Sequence, residues 1–343
     1  MPLLMKRPVP VRAVTALLRA VVCGGLLVST SATEARAEAE GGAAQASVLG
    51  TSPEETAPAA VTTPPLSRYQ AYLLRKWFEA VGEPKAKETF GELVARAARL
   101  QLGKPYGAVH GKQSVEQLRV RLSRFECVSL VETTLAVARC AWVERRDEEC
   151  FMEEVEASRY RNGELNDYAS RLHYFTDWLD DNVRRGRAKS LTQSLGGEPR
   201  TQVFNLLSLS SDKLSDFVSS EQLERVRLTE EELSAREHHV IPRSRIRIAQ
   251  RKLQSGDLLA IVSDKVPGVM VGHVGFVDRT AKGSPKFLHA SSYHRRVVLT
   301  VKPVSHYATR QAHRKGVIVV RPLPPTTAVE LARAVPLTPE VTY

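Results

Sequence analysis

Helical periodicity in the first half of this chain and short alternating strands in the second predict an α+β fold. Between residues 67 and 157 apolar side chains recur three and four positions apart. From Ile241 onward, short β-branched runs are separated by turn residues. Helices first and strands afterwards is the order expected of a helical layer packed on an antiparallel sheet. No internal repeat interrupts that order.

The chain of 343 residues opens on a segment that reads as an export signal. Lys6, Arg7 and Arg12 precede an apolar stretch over residues 14–28, and Ala35-Arg36-Ala37 has the small-residue spacing of a cleavage site. Residues 1–37 are therefore expected to be removed, leaving the protein in the periplasm or outside the cell. Cys23 does not fit a lipidation site, because the bulky Val22 stands directly before it. No later run is apolar over a membrane-spanning length, so no transmembrane span is expected. Residues 38–66, rich in Ala, Gly, Thr, Pro, Ser and Glu, read as a linker.

A single domain is expected over residues 67–325, followed by a Pro-rich tail over 326–343 with a helical pattern at 327–334. Two helices fill residues 67–98, separated at Gly82-Glu83-Pro84. The turn-rich stretch 102–107 leads to a helix that starts at Cys127 and is apolar on most sides through residue 138. A further helix runs through 151–157, and an aromatic-rich helix starts near Tyr174. Residues 190–197 read as a loop, 201–216 as a strand and then a helix, and 219–237 as a helix with a solvated charged face. Short strands are expected at 246–248, 256–262, 273–277, 286–289, 297–301 and 316–321.

The net charge is +11 for the full sequence. Loss of residues 1–37 removes five Lys/Arg and one acid, leaving +7. A moderately basic exported protein suits an anionic cell envelope. The cations are interspersed with acids and no nucleic-acid motif is present, which argues against a nucleic-acid partner. No Cys/His spacing suits zinc, and no metal or other cofactor is expected.

Three cysteines remain after residue 37: Cys127, Cys140 and Cys150. An odd number leaves at least one thiol free. Cys140 and Cys150 flank a charged segment and are either bridged or both buried as thiols. Cys127 falls in the first turn of its helix, where backbone amides and the helix dipole favour an anion and bias a thiol toward thiolate. Alone, such a cysteine is more often a small packing residue. Two histidines on later strands change that reading. His273 opens one strand and His289 ends the next, so hairpin pairing would set the imidazoles side by side, with a helix start packed on that face. A cysteine nucleophile needs such a base and a group to orient it.

Gly103-Lys104-Pro105-Tyr106, Phe125-Glu126-Cys127-Val128-Ser129, Gly256-Asp257-Leu258-Leu259, His273-Val274-Gly275-Phe276-Val277 and Phe287-Leu288-His289-Ala290-Ser291-Ser292 occur in this order. Together with Arg159–Gly163 and Ser170–Trp178, the set resembles the N-acetylmuramoyl-L-alanine amidase-like family. That family is long catalogued as a domain of unknown function, within the NlpC-type cell-wall cysteine hydrolases of papain-like fold. The resemblance covers residues 68–323. It implies Cys127 as nucleophile, His273 as base and His289 as the group that orients the base. It also implies Tyr106 as an oxyanion or substrate contact, and Arg171, His173, Tyr174 and Trp178 as a substrate-side wall. The family usually has Asp before its cysteine, where this chain has Glu126.

The resemblance further implies a monomeric hydrolase with a peptidoglycan or muropeptide substrate. The expected target is the N-acetylmuramoyl–L-alanine amide, with the γ-D-glutamyl–diamino-acid bond as the alternative. Two other readings are a non-catalytic envelope-binding protein on the same scaffold and acyl transfer to an amine.

Overall fold

The computed structural model describes residues 63–108, 115–214, 218–279 and 283–325. The expected export signal, most of the linker and the tail with its helical pattern lie outside the described residues. Ser67 caps α1 (Arg68–Val81), its hydroxyl accepting from the Gln70 amide. Helix α2 (Phe90–Arg99) opens on a reciprocal capping box between Thr89 and Glu92. Then come α3 (Cys127–Trp142), α4 (Glu148–Arg159) and α5 (Phe175–Arg184). All the helices expected up to this point form.

The strands build one antiparallel sheet. Its members are β1 (Ala188–Ser190), β2 (Glu198–Arg200), β3 (His238–Pro242), β4 (Leu258–Ser263), β5 (Val271–Asp278), β6 (Lys286–Ser291), β7 (Arg296–Leu299) and β8 (Arg314–Pro322). The order is β2-β3-β8-β4-β5-β6-β7, with β1 added to β8. Strands β4 and β8 are central and almost wholly buried. Side chains alternate between two faces. One face, with Leu258, Ala260, Val274, Phe276, Leu288 and Ala290, joins α1 to α5 in the larger core. The other, with Leu259, Ile261, Val277, Phe287, Val317 and Val319, packs on two short helices, Arg243–Ala249 and Val304–Thr309.

The stretch between β1 and β4 departs from expectation. Residues 246–248 belong to the helix Arg243–Ala249 instead of a strand. Ile246 and Ile248 imitate a period of two, but Ile246 is buried with Ala249 while Ile248 is 68% exposed. No strand forms in the described part of 201–216, which holds a short 3-10 turn and the one-turn helix Ser211–Leu214. Strands β1 and β2 instead border or replace part of the expected loop at 190–197. The charged helix Ser220–Ala235 is not purely solvated, because it buries Val226, Glu230 and Leu233.

Helix α3 sets the position of everything around it. All of its residues except Val128 and Trp142 are buried. It packs between α2, α4 and the strands β5 and β6. Glu132 is buried with it, matched by Arg159 at the end of α4, whose Nε and Nη2 donate to Glu132 Oε2 at 2.9 and 2.7 Å. Arg159 Nη1 also donates to the Arg119 carbonyl at 2.9 Å. At the other end of α3, a disulfide ties Cys140 to Cys150 on α4. At the foot of the sheet, α2 and the turn before β4 meet backbone to backbone. Gly256 has φ +86°, and a Cβ there would lie 2.1 Å from the Gly91 carbonyl oxygen, so no larger residue fits.

Removing one partner of the buried pair leaves an uncompensated charge. Arg159→Ala is expected to lower stability by about 3–5 kcal/mol. The double change Arg159→Met, Glu132→Leu should recover most of that loss. Urea unfolding of the single and double variants checks both expectations, and a double variant no better than the single one would contradict them.

Candidate active site

Cys127 occupies the first turn of α3, with Glu126 as N-cap. The Glu126 amide donates to the Ser129 hydroxyl at 3.0 Å, which closes the turn. Cys127 is 7% exposed and is the free cysteine among the described residues.

Strands β5 and β6 pair with Phe276 opposite Leu288. Continuing by one residue sets Gly275 opposite His289, and a Cβ on Gly275 would lie 2.8 Å from the His289 Cβ. The missing side chain lets His289 lean diagonally toward His273, two residues earlier on β5. Their ring nitrogens, His273 Nε2 and His289 Nδ1, are 2.7 Å apart. The two imidazoles therefore sit on one face, as the hairpin predicted.

The helix does not pack its flank on that face. Alternation puts Val274 and Phe276 beneath α3, and His273 on the other side. A register shift between Ile261 and Val262 on β4 leaves Gly272 outside the ladder. His273 thus stands where the sheet opens, and Cys127 and His273 border a common cavity of about 70 Å³.

The same cavity is bordered by Arg171, His173, Tyr174 and Trp178, so the expected wall residues are gathered with Cys127 and His273. The first three are held by polar contacts, and Trp178 stacks on Phe175 with 5.0 Å between centroids. Arg171 Nη1 is 3.1 Å from Glu116 Oε1. His173 Nε2 donates to the Tyr168 carbonyl at 2.8 Å. The Tyr174 hydroxyl donates to Glu230, which also accepts from the Leu207 amide at 2.8 Å and from the Ser208 hydroxyl. Leu206 and Leu207 complete that wall. Tyr106 pairs with Phe125 through a parallel bridge and donates its amide to the Arg295 carbonyl at 2.8 Å. Its backbone lies beside the α3 start, but its side chain is not among those bordering the cavity.

Sequence reasoning gave no role to Glu116, Glu132, Arg159, Glu230 and Tyr307. The first four could be found only from their tertiary partners. Tyr307 lies on a six-residue helix too short to show a period. Its ring is 4.9 Å from His289, and Phe287 stacks on His289 at 4.7 Å between centroids. This apolar cage, 2% of His289 being exposed, disfavours the imidazolium. Burial foremost, then the neighbouring His273 and Arg314, push the His289 pKa down to about 2. Burial and then the Arg171 charge push His173 down to about 4. Both rings are neutral at pH 7. Among the described residues, no group of three or more His, Cys, Asp or Glu side chains is placed to hold a metal ion. None of the described helices is long and apolar enough to cross a membrane.

The pH dependence of stability follows. Unfolded, both histidines protonate near their ordinary value of 6.5, whereas folded they do not until far lower pH. Between these values the unfolded chain holds more protons, so stability falls as pH drops below 6.5. Each histidine contributes a slope of up to about 1.4 kcal/mol per pH unit. Denaturant unfolding between pH 7 and 5 is expected to show a smaller slope in His173→Gln than in the wild type. An unchanged slope would contradict a neutral buried His173.

No curated protein sequence matches the chain significantly. Among solved structures, an N-acetylmuramoyl-L-alanine amidase from Bacteroides uniformis ATCC 8492 is similar at 25% identity and a TM-score of 0.62, over 68% of this chain and 99% of that one. A provisionally named xylanase from Bacteroides fragilis is similar at 27% identity and a TM-score of 0.59, over 65% and 98% of the two chains. A Legionella pneumophila str. Philadelphia 1 protein, 19% identical with a TM-score of 0.58 over 74% and 94%, shares the fold. The profile of the AmiA-like, N-acetylmuramoyl-L-alanine amidase-like family matches residues 96–316, well over half of the sequence, and the chain belongs to that family.

Proposed function

We propose that this protein is an exported cysteine amidase that hydrolyses the N-acetylmuramoyl–L-alanine amide of peptidoglycan or its fragments. The observation that carries the reading is the hydrogen-bonded His273–His289 pair, whose His273 borders one cavity with Cys127. The family and the name of the Bacteroides uniformis neighbour support the choice of bond. The export signal in the sequence and the Cys140–Cys150 disulfide support an oxidising location. The NlpC-type, papain-like placement is part of the same proposal.

His273 uses Nε2 toward His289, which leaves Nδ1 for the sulfur. A neutral His289 accepts at Nδ1 from His273 Nε2–H before and after His273 takes a second proton. It thus fixes the ring and supports the imidazolium without itself becoming charged. His273 takes the Cys127 proton, and the sulfur adds to the amide carbonyl. Amide groups at the α3 start hold the oxyanion. The C–N bond breaks as His273 protonates the leaving amine. Water, deprotonated by His273, then hydrolyses the thioester and restores the thiol.

Mass spectrometry of a defined muropeptide tests the reading. The wild type should release free peptide beginning at L-Ala, and Cys127→Ala should be slower by at least about a thousandfold. Release of a fragment that keeps L-Ala-D-Glu on the muramoyl group would instead support the γ-D-glutamyl endopeptidase activity. Cleavage unaffected by Cys127→Ala would refute the cysteine mechanism. His289→Ala is expected to lower kcat by about 10²–10⁴-fold with a smaller change in KM, because it acts through His273. Equal losses in kcat for a distant surface variant would remove that interpretation.

A further inference from the structure

His273 borders two cavities, and they differ in charge. The one shared with Cys127 contains arginines already neutralised, Arg159 by Glu132 and Arg171 by Glu116. The other, about 400 Å³, lies on the far side of His273 and is bordered by His289, Lys265, His313 and Arg314, with no Asp or Glu among its lining residues. The acid nearest in sequence, Asp264, is paired with Lys315 at 2.9 Å. Among the described residues neither Arg314 nor Lys265 forms an ion pair.

Arg314 is half-buried and preset. Its Nη1 donates to the Tyr307 carbonyl, and its guanidinium lies over the Tyr307 ring, 4.1 Å from the centroid. Its own carbonyl is held by Arg243 Nη1 at 2.8 Å. The excess of positive charge is felt locally. His313 has its pKa lowered by burial and by Arg314 and Lys265, which outweigh Asp264. A buried-edge guanidinium with open donors is a ready partner for a carboxylate.

Chemistry decides which half of a substrate reaches this groove. In amide cleavage through a thioester, the acyl half stays on the sulfur and the amine half leaves toward the acid that protonates it. The leaving half therefore lies on the histidine side. In the proposed substrate the muramoyl carboxyl is tied up in the amide, so the acyl half brings no carboxylate to the site. The peptide half carries free carboxylates. We propose that the groove beyond His273 is a carboxylate-binding subsite for the leaving peptide, with Arg314 as its main ligand and Lys265 at its rim. The proposal rests on the amidase reading above.

The test compares two substrates with the same acyl half: N-acetylmuramoyl-L-Ala-D-Glu with free carboxylates, and the same compound with both carboxyls amidated. The wild type is expected to favour the carboxylate form in kcat/KM by about tenfold or more. Arg314→Gln should bring that ratio close to one, and Lys265→Gln should lower it less. The ratio is informative because any effect of Arg314 on His289 acts on both substrates and cancels. A wild-type ratio near one, or a ratio unchanged by Arg314→Gln, would overturn the proposal while leaving the amidase reading intact. If the wild type cleaved neither compound, the amidase reading would fail, and calorimetric binding of L-Ala-D-Glu and its diamide would decide the subsite. Weaker binding of the free acid in Arg314→Gln supports it, and equal binding refutes it. Should Arg314→Gln not fold, the exposed Lys265→Gln carries the same comparison, with an unchanged ratio counting against the subsite.

Discussion

A helix buried on almost every side must not carry an unmatched charge, and α3 carries Glu132. The contact of two Arg159 nitrogens with one Glu132 oxygen removes that problem and, in doing so, joins the middle of α3 to the end of α4. Such a pair adds little net stability over an apolar alternative, but a planar guanidinium accepts few positions of its partner. The helix is consequently fixed in rotation as well as in depth. Cys127 lies little more than a turn before Glu132, on the same rigid segment, so its sulfur inherits that fixed position.

The sheet supplies the complementary part by omitting atoms. Gly275 leaves space for His289 to lean across β5, and the shift in β4 places His273 at an opening in the ladder. Phe287 and Tyr307 then keep His289 dry and uncharged. In the proposed mechanism His273 moves protons between sulfur and substrate, while burial keeps its partner His289 neutral. The two cavities that meet at His273 are an outcome of the same placement, because its ring stands beside the shifted ladder and borders both.

The sequence made some of this legible for physical reasons. The apolar density of α3 marked burial. The turn residues at Gly82 and Pro84 marked a helix break. Cys127, His273 and His289 stood out because the pattern set them at a helix start and at two expected strand ends, although β5 begins two residues before His273 and β6 runs two residues past His289. The region between β1 and β4 was harder to read. Its strands have three to five residues, too few to show alternation, and Ile246 and Ile248 mimicked a strand while lying on a helix. The paired acids were invisible because a carboxylate that faces solvent and one that meets a buried arginine look the same in one dimension. Glu230, in a run of charges, is the clearest instance: it closes the wall that Tyr174 begins.

Helix α3 carries two sulfurs with different fates. Cys127 stands at its open end as a thiol. Cys140, thirteen positions later and roughly 20 Å along the axis, is locked to Cys150, with both half-cystines 3% exposed or less. That separation means a mild reductant that enters the cavity can keep Cys127 reduced while the buried bridge stays closed. It also means that oxidative loss of the free thiol has no neighbouring cysteine in the described residues to trap it as an internal disulfide. Damage would proceed instead through sulfenic acid or a mixed disulfide with a small thiol. Handling the protein therefore calls for a reductant matched to one sulfur and not the other.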